Sequence, residues 1–493
     1  APRGAGGGTA ALLAERFPGV AALLPAHEPV DAFWLAAWWG NRPGPPAWLP
    51  TDLLAQADRV AAAAHALVAD GQAAGELAAL DARISADTVL GDQVAAALDL
   101  PSRPAPEVVA ALSGERLLRH PVRLGATQLV RRLAADWQLA SQLGDLHELA
   151  AHHALLTQAE VAPLLHLAEA AAHLAAIERR LAGLALPSLV DDLYPSHCAP
   201  VPQLVSRAEL ASAGGGVVEP DAVDAFRAGA ARLLRGVDEQ FQAGAGDDFA
   251  GCLRIWEVGQ AVVAPLLAAR GRVAVLLVDA MRVDLAAHVV PLLAEALPGR
   301  PSRRRWAVVP EPTRTAEAVA ALHLGRPVPA GSAPAHPGPD HAPFAHLGYE
   351  ADVLLGADRD DRTPDLRTLW ASGPPISVAV ATGVDERLHR TSVELAALID
   401  EATTALRRRV VPSLTALPPT VPLVVLADHG FRENPHWGHG PEGRYVHGGT
   451  SLEECVVPVV VFDAAPGPGA VAPRSQARAE ALARPSIRAR PRP

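Results

Sequence analysis

The most informative segment of the chain is the apolar run Val421–Ala427, which ends at Asp428 and His429. A short run of valine and leucine is typical of a strand that is buried on both faces of a sheet. In open α/β folds, ligand sites lie beyond the carboxyl ends of such strands. A carboxylate and an imidazole at that position predict a metal site, and His447, in its own glycine-rich turn, is a third candidate ligand.

Similar runs recur along the second half of the chain and alternate with helix-like segments. The predicted strands are Val273–Val278, Ile376–Ala381, Val421–Ala427 and Val456–Phe462, and the predicted helices are Asp284–Leu297 and Ser392–Val410. Strands that alternate with helices predict an α/β fold, with a largely parallel sheet flanked by helices. We assign this domain to residues 261–465, with a loop-like insertion at about 324–375 that covers the site.

The first half of the chain differs from the second in composition and in the spacing of its apolar residues. Hydrophobic residues make up 49% of the chain and aromatic residues only 4%, so alanine and leucine dominate, which favours helices. Apolar residues at three- and four-residue spacing predict an all-α region over 9–260, made for interaction with other proteins and not for catalysis. Its histidines are typical of the edge of a helical core: His152, His153, His166 and His173.

Composition narrows the functional classes. All 43 basic residues are arginine, which excludes a lysine Schiff base and a P-loop lysine, and the net charge of −11 argues against a general nucleic-acid coat protein. The cysteines are far apart and form no C-x-x-C pair, so we expect a reducing, cytoplasmic location. No apolar run has transmembrane length, and residues 466–493 predict a flexible tail rich in Arg and Pro. The chain begins without Met, and we expect it to be a piece of a longer protein.

Three further segments carry residues suited to phosphate chemistry. Asp279 ends the first strand, where an aspartate is either a metal ligand or the cap of the next helix. The segment Pro310–Ala316 contains two threonines before a helix. A threonine there is an ordinary N-cap, or its hydroxyl lies where the helix dipole favours a phosphate. Asp385 and His389 are four residues apart, so in a helix both lie on one face. There they can bind one metal ion together, or they can form an exposed ion pair with each other.

The order Asp, Thr, Asp-x-x-x-His, Asp-His, His resembles the alkaline phosphatase superfamily, including its phosphodiesterase branch. The local sequences VDAMRVD, PTRTAEAVAALHLG, ADHGF and VHGGTSLEECVVPVVVF are similar to the PglZ family, the phosphatase-like component of the bacterial phage-defence system BREX. This resemblance covers about Gly271–Asp463. It implies an alkaline-phosphatase-like fold for the α/β domain.

The resemblance also implies a site with two divalent metal ions, for which Zn²⁺ is suited and Mn²⁺ is the alternative. One metal would be bound by Asp385, His389 and His447, and the other by Asp279, Asp428, His429 and the nucleophile. In the related P-T-x-T motif the second threonine is the nucleophile, which corresponds to Thr315, with Thr313 as the alternative. Arg282 and Arg314 flank Asp279 and Thr315, and either can clamp a phosphate oxygen.

The implied activity is hydrolysis of a phosphoric ester, with a phosphodiester favoured over a monoester and a nucleotide or nucleic acid as substrate. The alternative is a scaffold, with little or no catalysis, that binds other BREX proteins such as the methyltransferase subunit. A sulfatase is disfavoured, because no cysteine has the C-x-P/A-x-R context that formylglycine requires.

Several other polar residues lie near these motifs. We expect Asp284 to cap the helix that follows it, and Glu453 and Glu454 to support the turn of His447 by hydrogen bonding. Histidines that could contact substrate, or could simply be exposed in loops, are His336, His341, His346, His436 and His439.

Overall fold

A computed structural model describes residues 119–143, 157–244, 249–333, 341–434 and 444–465 of the 493-residue chain. They form two compact units. The helical unit contains the described residues up to Gly244 together with Glu394–Ala396, and the α/β unit contains the rest. The two units divide between the described residues Gly244 and Phe249, whereas the sequence predicts the division between 260 and 261.

The described residues of the helical unit form helices of the predicted kind. Thr157 and Glu160 form a capping box at the start of the second helix, where the Thr157 hydroxyl accepts from the Glu160 N–H at 3.3 Å. That helix ends at Arg180. The elements are α1 Arg119–Ala135, α2 Gln158–Arg180, a π-helix Leu189–Cys198, α3 Pro200–Ala213 and α4 Pro220–Gly244. Residues 9–118 and 144–156, with His152 and His153, lie outside the described part.

The α/β unit alternates strands and helices as the sequence predicts. Its strands are β1 Leu253–Arg254, β2 Val273–Val278, β3 Ser302–Val308, β4 Ala351–Leu355, β5 Ile376–Ala381, β6 Leu423–Leu426, β7 Arg432–Glu433, β8 Tyr445–Val446 and β9 Val456–Phe462. Its helices are α5 Ala264–Arg270, α6 Val283–Ala296, α7 Thr315–Leu324, α8 Thr363–Ser372, α9 Gly383–Leu388, α10 Leu395–Arg409 and α11 Leu452–Cys455.

Seven of the described strands form one sheet in the order β1-β3-β9-β6-β2-β5-β4, and every pairing is parallel except those of β9. The central strand β2 is buried along its whole length between β5 and β6, which explains its uninterrupted run of valine, leucine and alanine. The carboxyl ends of β2, β3, β5 and β6 meet at one edge, and β9 enters the sheet there. This edge collects the predicted site residues.

The structure corrects two predictions. The insertion at about 324–375 is not only a loop, because it contributes the edge strand β4, paired in parallel with β5, and the helix α8. Both are short and lie among Pro, Gly and Asp residues, which hid them in the sequence. The strand Leu253–Arg254 lies inside the region 9–260 that we expected to be all-α, and it pairs with Ala307 and Val308 of β3.

No helix in the described ranges combines the length and the apolar character that crossing a bilayer requires. The predicted tail, 466–493, lies outside the described residues.

Candidate metal centre

The carboxyl edge of the sheet brings the predicted ligands into two overlapping groups. Asp279, Asp428 and His429 each offer one ligand atom, and these atoms lie within 4.8 Å of one another. Asp385, His429 and His447 meet the same condition. His429 belongs to both groups, whereas the resemblance assigned it to one. The overlap gives the edge one continuous cluster of carboxylates and imidazoles.

Asp428 is held by backbone donors and keeps one oxygen free for a ligand. Its Oδ1 accepts from the N–H of Ala280 at 3.1 Å and from that of His429 at 3.0 Å. Its Oδ2 is buried, and no hydrogen-bond partner for it exists in the described part of the chain. A buried carboxylate oxygen with no donor is costly in a finished core, and a cation is the partner that would offset the cost.

The ring of His429 is fully buried and oriented by its own loop. Nδ1 lies 2.8 Å from the carbonyl oxygen of Gly430, which assigns the ring proton to Nδ1. The lone pair of Nε2 then faces Asp279 Oδ1 at 3.4 Å and Asp428 Oδ2 at 3.7 Å. A backbone carbonyl behind a histidine fixes the tautomer and the ring orientation that metal ligation requires.

Backbone strain accompanies this arrangement. Ala280 follows Asp279 directly and has a φ of 58°, in the left-handed region that non-glycine residues rarely adopt. Its N–H is the donor to Asp428 Oδ1. The strained residue therefore joins the ends of two neighbouring strands, as often occurs at functional sites.

The second group is more open to solvent. Asp385 Oδ1 lies 3.3 Å from Nε2 of His447 and 3.4 Å from Nε2 of His389. The two imidazoles are 3.2 Å apart at their Nε2 atoms, and the His389 side chain is 56% exposed. The predicted ligand His389 is thus brought to the cluster, at its solvent side.

The charges of the cluster are unbalanced without a cation. Burial, followed by the charges of Asp428 and Asp385, raises the pKa of Asp279 well above its ordinary value. Burial also acts to raise the pKa of Asp385, but the hydrogen bond and charge of His447 outweigh it and lower the pKa. Burial lowers the pKa of His447, and Asp385 outweighs that effect and raises it.

Thr315 and Thr313 have separate roles. Thr315 is the first residue of α7, with Arg314 as the N-cap, so Thr315 is not the cap itself. Its hydroxyl lies 3.3 Å from Asp279 Oδ1 and 3.0 Å from His429 Nε2. The fully buried Thr313 hydroxyl instead donates to the Gly449 carbonyl and accepts from the Gly448 N–H, both at 3.0 Å.

Glu454 supports the turn of His447 as expected, whereas the Glu453 carboxylate lies 3.5 Å from the Arg282 guanidinium. Glu454 accepts from the Gly449 N–H at 2.9 Å and from the Ser451 hydroxyl at 2.7 Å, in a capping box at α11. The ribbon β7–β8 leads from the His429 loop back to His447. These contacts place the His429 and His447 rings in a stack with centroids 4.4 Å apart.

Arg282 occupies a buried structural position. Its guanidinium, 2% exposed, makes two hydrogen bonds to Asp284, of 3.0 and 2.9 Å, and one of 3.2 Å to the Phe431 carbonyl. These contacts describe an internal ion pair and offer no support for the predicted phosphate clamp. Asp284 is in the first turn of α6 and is not its N-cap, because Arg282 occupies that position.

Arg314 fits a clamp better. Its side chain is exposed at the start of α7 and makes no hydrogen bond or ion pair in the described part of the chain. It lies beside Gly448, since a Cβ atom built on that glycine would be 3.4 Å from Arg314 Nε. The guanidinium is therefore close to the turn that carries His447.

The loop histidines divide into two sets. His336, His436 and His439 lie outside the described residues. His346 and His341 are near His323 on α7: His346 Nδ1 is 3.1 Å from the His323 carbonyl, and the His323 and His341 rings are 5.4 Å apart. The structure does not bring His341 or His346 into the two ligand groups.

Sequence reasoning missed Gly430. A Cβ atom there would overlap the carbonyl oxygen of Glu453, and the Gly430 N–H donates to the Glu454 carbonyl at 2.8 Å. Only glycine allows the His429 loop to approach the segment before α11 this closely. The glycine that follows Asp428 and His429 in the sequence was the available signal.

These residues fit divalent metal ions. Carboxylates and imidazoles are common ligands of such ions, and the buried Asp428 Oδ2 has no hydrogen-bond partner among the described residues. No known family model matches the chain, and neither does any curated protein. Function is therefore inferred from this geometry, in which the Thr315 hydroxyl touches a cluster of three aspartates and three histidines.

Proposed function

We propose that the chain is a metal-dependent phosphohydrolase that uses Thr315 as its nucleophile and cleaves phosphodiesters. One observation carries the proposal. The Thr315 hydroxyl is within 3.3 Å of Asp279 and 3.0 Å of His429, at the junction of two groups that can each hold a metal ion. A nucleophile at a helix N-terminus beside a cationic centre is suited to attack on an anionic phosphorus.

The first set of ligands below is a group that the structure brings together, and the second follows the resemblance, with His389 in the place of His429. Asp279, Asp428 and His429 would hold one ion beside Thr315, and Asp385, His389 and His447 would hold the other. Bound cations supply charge neutralisation for the attacking and leaving oxygens of an in-line displacement, and they lower the pKa of a hydroxyl nucleophile. Both Zn²⁺ and Mn²⁺ are compatible with these donors.

The chain's own residues account for binding and for the covalent step. The Thr315 oxygen forms a bond to phosphorus while the bond from phosphorus to the leaving oxygen breaks, and the leaving oxygen takes up the hydroxyl proton and departs as an alcohol. The remaining ester group stays on the phosphorus that is now bound to Thr315. Water then attacks the same phosphorus and displaces the Thr315 oxygen, which recovers its proton. Asp279 Oδ1 and His429 Nε2 lie within hydrogen-bond distance of that hydroxyl, so the Thr315 oxygen is held beside two of the proposed ligand atoms. Arg314 would hold a non-bridging oxygen.

The choice of a diester is supported by the small number of cations beside the cluster. Arg282 is engaged with Asp284 and Arg432 with Glu454, whereas Arg314 is exposed beside Gly448 and has no such partner in the described part of the chain. A terminal monoester carries one more charge and needs more donors. The resemblance to the PglZ family supports a nucleotide or nucleic-acid substrate and other BREX proteins, such as the methyltransferase subunit, as partners.

Metal analysis and a turnover assay on one preparation test the proposal. Protein purified without chelator should contain Zn or Mn, and it should cleave bis(p-nitrophenyl) phosphate faster than p-nitrophenyl phosphate. Thr315→Ala should bind metal but not turn over. Metal binding with no hydrolysis of either ester would favour a scaffold role. Absence of metal, with no metal-dependent rise in Tm, would overturn the site.

A further inference from the structure

A second cluster of charge lies on another face of α9, the helix that carries Asp385. Asp385 and His389 are four residues apart and share the face at the metal cluster. Glu386 lies on a different face of α9, where it lines a cavity of about 250 Å³ together with Arg390, which follows two residues after the end of the helix. None of the residues that line this cavity belongs to the two metal-ligand groups.

The cavity is positively charged. Its lining contains four arginines against two carboxylates: Arg359, Arg387, Arg390, Arg409, Asp358 and Glu386. Both carboxylates are already engaged. Asp358, 3% exposed, accepts from the N–H groups of Thr382 and Gly383 at 3.1 and 3.0 Å. Glu386 accepts from Arg359 at 2.8 Å and from the Thr382 hydroxyl at 3.0 Å.

Three of these arginines have N–H donors that make no hydrogen bond in the described part of the chain. The Arg390 guanidinium makes no hydrogen bond or ion pair in the described part of the chain. Arg387 uses one nitrogen, Nη1, on the Gly383 carbonyl at 2.5 Å. Arg409 uses Nε on Asp360 and Nη1 on the Asp358 carbonyl. Guanidinium groups with unused N–H donors around one cavity are arranged for an oxyanion.

The local backbone is built to bring these groups together. A Cβ atom on Gly383 would overlap Asp358 Oδ2 and would lie 2.7 Å from Arg387 Nη1. Glycine at 383 therefore permits both side chains to reach the start of α9. The amide N–H groups there are occupied by Asp358, so the guanidinium groups, and not the helix terminus, would bind the anion.

We propose that this cavity is a phosphate-binding site separate from the metal cluster. Its volume lies below the ~300–1,000 Å³ of pockets for drug-sized ligands, which fits a compact phosphate or the phosphate end of a nucleotide. The adjacent cavity shares Arg387 and Arg409 but is also lined by Asp400 and Glu401, which disfavours an anion there. This inference does not depend on the proposed hydrolase activity.

Calorimetric titration of the full chain, freed of metal by a chelator, tests the site. Inorganic phosphate should bind saturably, and Arg390→Gln should weaken its affinity about tenfold. Arg362→Gln is the matched control, because Arg362 is an exposed arginine that pairs with Asp365 at 3.0 Å and does not line the cavity. Arg387→Gln provides a second variant, whose fold is checked by circular dichroism.

The proposal is overturned if the wild type shows no saturable binding, or if the Arg390→Gln and Arg362→Gln variants bind phosphate with equal affinity. Loss of binding in Arg314→Gln but not in Arg390→Gln would also overturn it, because the anion would then sit at the metal cluster. A 5′-nucleotide that binds more tightly than phosphate, with the same dependence on Arg390, would support the site and identify a nucleotide as the source of the phosphate. Equal affinities for phosphate and for the 5′-nucleotide, again dependent on Arg390, would support the cavity as a site for free phosphate.

Discussion

The hydroxyl of Thr315 lies 3.0 Å from Nε2 of His429, the imidazole that belongs to both candidate metal-ligand groups. The Thr313 hydroxyl, two residues earlier, is fully buried and bonded to the backbone of Gly448 and Gly449. The two threonines of the same short motif therefore face different surroundings, and mutation should separate them.

Thr315→Ala should reduce turnover of a chromogenic diester by several orders of magnitude and leave Tm almost unchanged. The lost hydroxyl is at the first position of α7 and contributes only about 1 kcal/mol. Thr315→Ser should retain part of the activity. Thr313→Val should instead destabilise the unit by about 1–3 kcal/mol, because it leaves the Gly448 N–H without its acceptor. An active Thr315→Ala enzyme beside a stable, inactive Thr313→Val enzyme would reverse the assignment.

Substitution of Arg282 should affect mainly the stability of the protein, whereas substitution of Arg314 should affect mainly its kinetics. Arg282→Gln should lower the free energy of unfolding by about 3–5 kcal/mol, because it leaves Asp284 charged and buried. The double variant Arg282→Met with Asp284→Leu should recover much of this loss. Arg314→Gln should change stability by less than about 0.5 kcal/mol and raise KM about tenfold. Chemical denaturation and steady-state kinetics give the two readouts, and a stable Arg282→Gln enzyme with a raised KM would restore the phosphate clamp.

The sequence predicted the central strands well, because each is a short valine-rich run buried on both faces. The runs Val273–Val278, Ile376–Ala381 and Val456–Phe462 have the predicted bounds. The convergence of Asp279, Asp428 and His429 also followed from the sequence, because parallel strands bring their carboxyl ends to one edge.

Other features could not be read from local pattern. Strand β3 contains three consecutive arginines, which are exposed because β1 covers only its last two residues. The direction of the Arg282 side chain depends on Asp284 and on the Phe431 carbonyl, which is far along the chain. The burial of the Thr313 hydroxyl depends on the position of the His447 turn, whose backbone it contacts. Tertiary contacts decide each of these, and spacing along the sequence does not encode them.

Replacing glycine by alanine should have opposite effects on stability at Gly430 and at Gly236. Gly430→Ala should destabilise the α/β unit by about 1–3 kcal/mol and weaken metal binding, because the new methyl group meets the Glu453 carbonyl. Gly236→Ala is the matched control, since Gly236 lies within α4 with open space around its Cβ position. That change should stabilise the helical unit by about 0.5–1 kcal/mol. Thermal unfolding of both variants checks the signs, and an unaffected Gly430→Ala protein would contradict the close approach.

Asp279→Asn should stabilise the metal-free protein at neutral pH while it removes metal binding. Burial, with Asp428 and Asp385, raises the pKa of Asp279 in the folded state above its unfolded value of 3.8. The folded state then binds more protons, so its stability falls as pH rises from the unfolded pKa to the folded one. The wild type with chelator should show this fall in urea denaturation, and Asp279→Asn should show less of it. Added Zn²⁺ should restore stability to the wild type alone, and an equal pH slope in both proteins would contradict the charge repulsion.

The helical unit should lose stability in mild acid through His173. Burial, and then the charge of His197, lowers the pKa of His173 from 6.5 to about 4, and the two Nδ1 atoms are 3.3 Å apart. The unfolded chain therefore binds a proton below pH 6.5 that the folded unit rejects until about pH 4. Stability should be constant above that window, fall by up to about 3 kcal/mol across it and level off below it. Hydrogen–deuterium exchange of the α2 amides between pH 4 and 7.5, corrected for intrinsic rates, measures the change in this unit alone. His173→Gln should flatten the profile, whereas an unchanged profile in that variant would show that other groups cause the acid sensitivity.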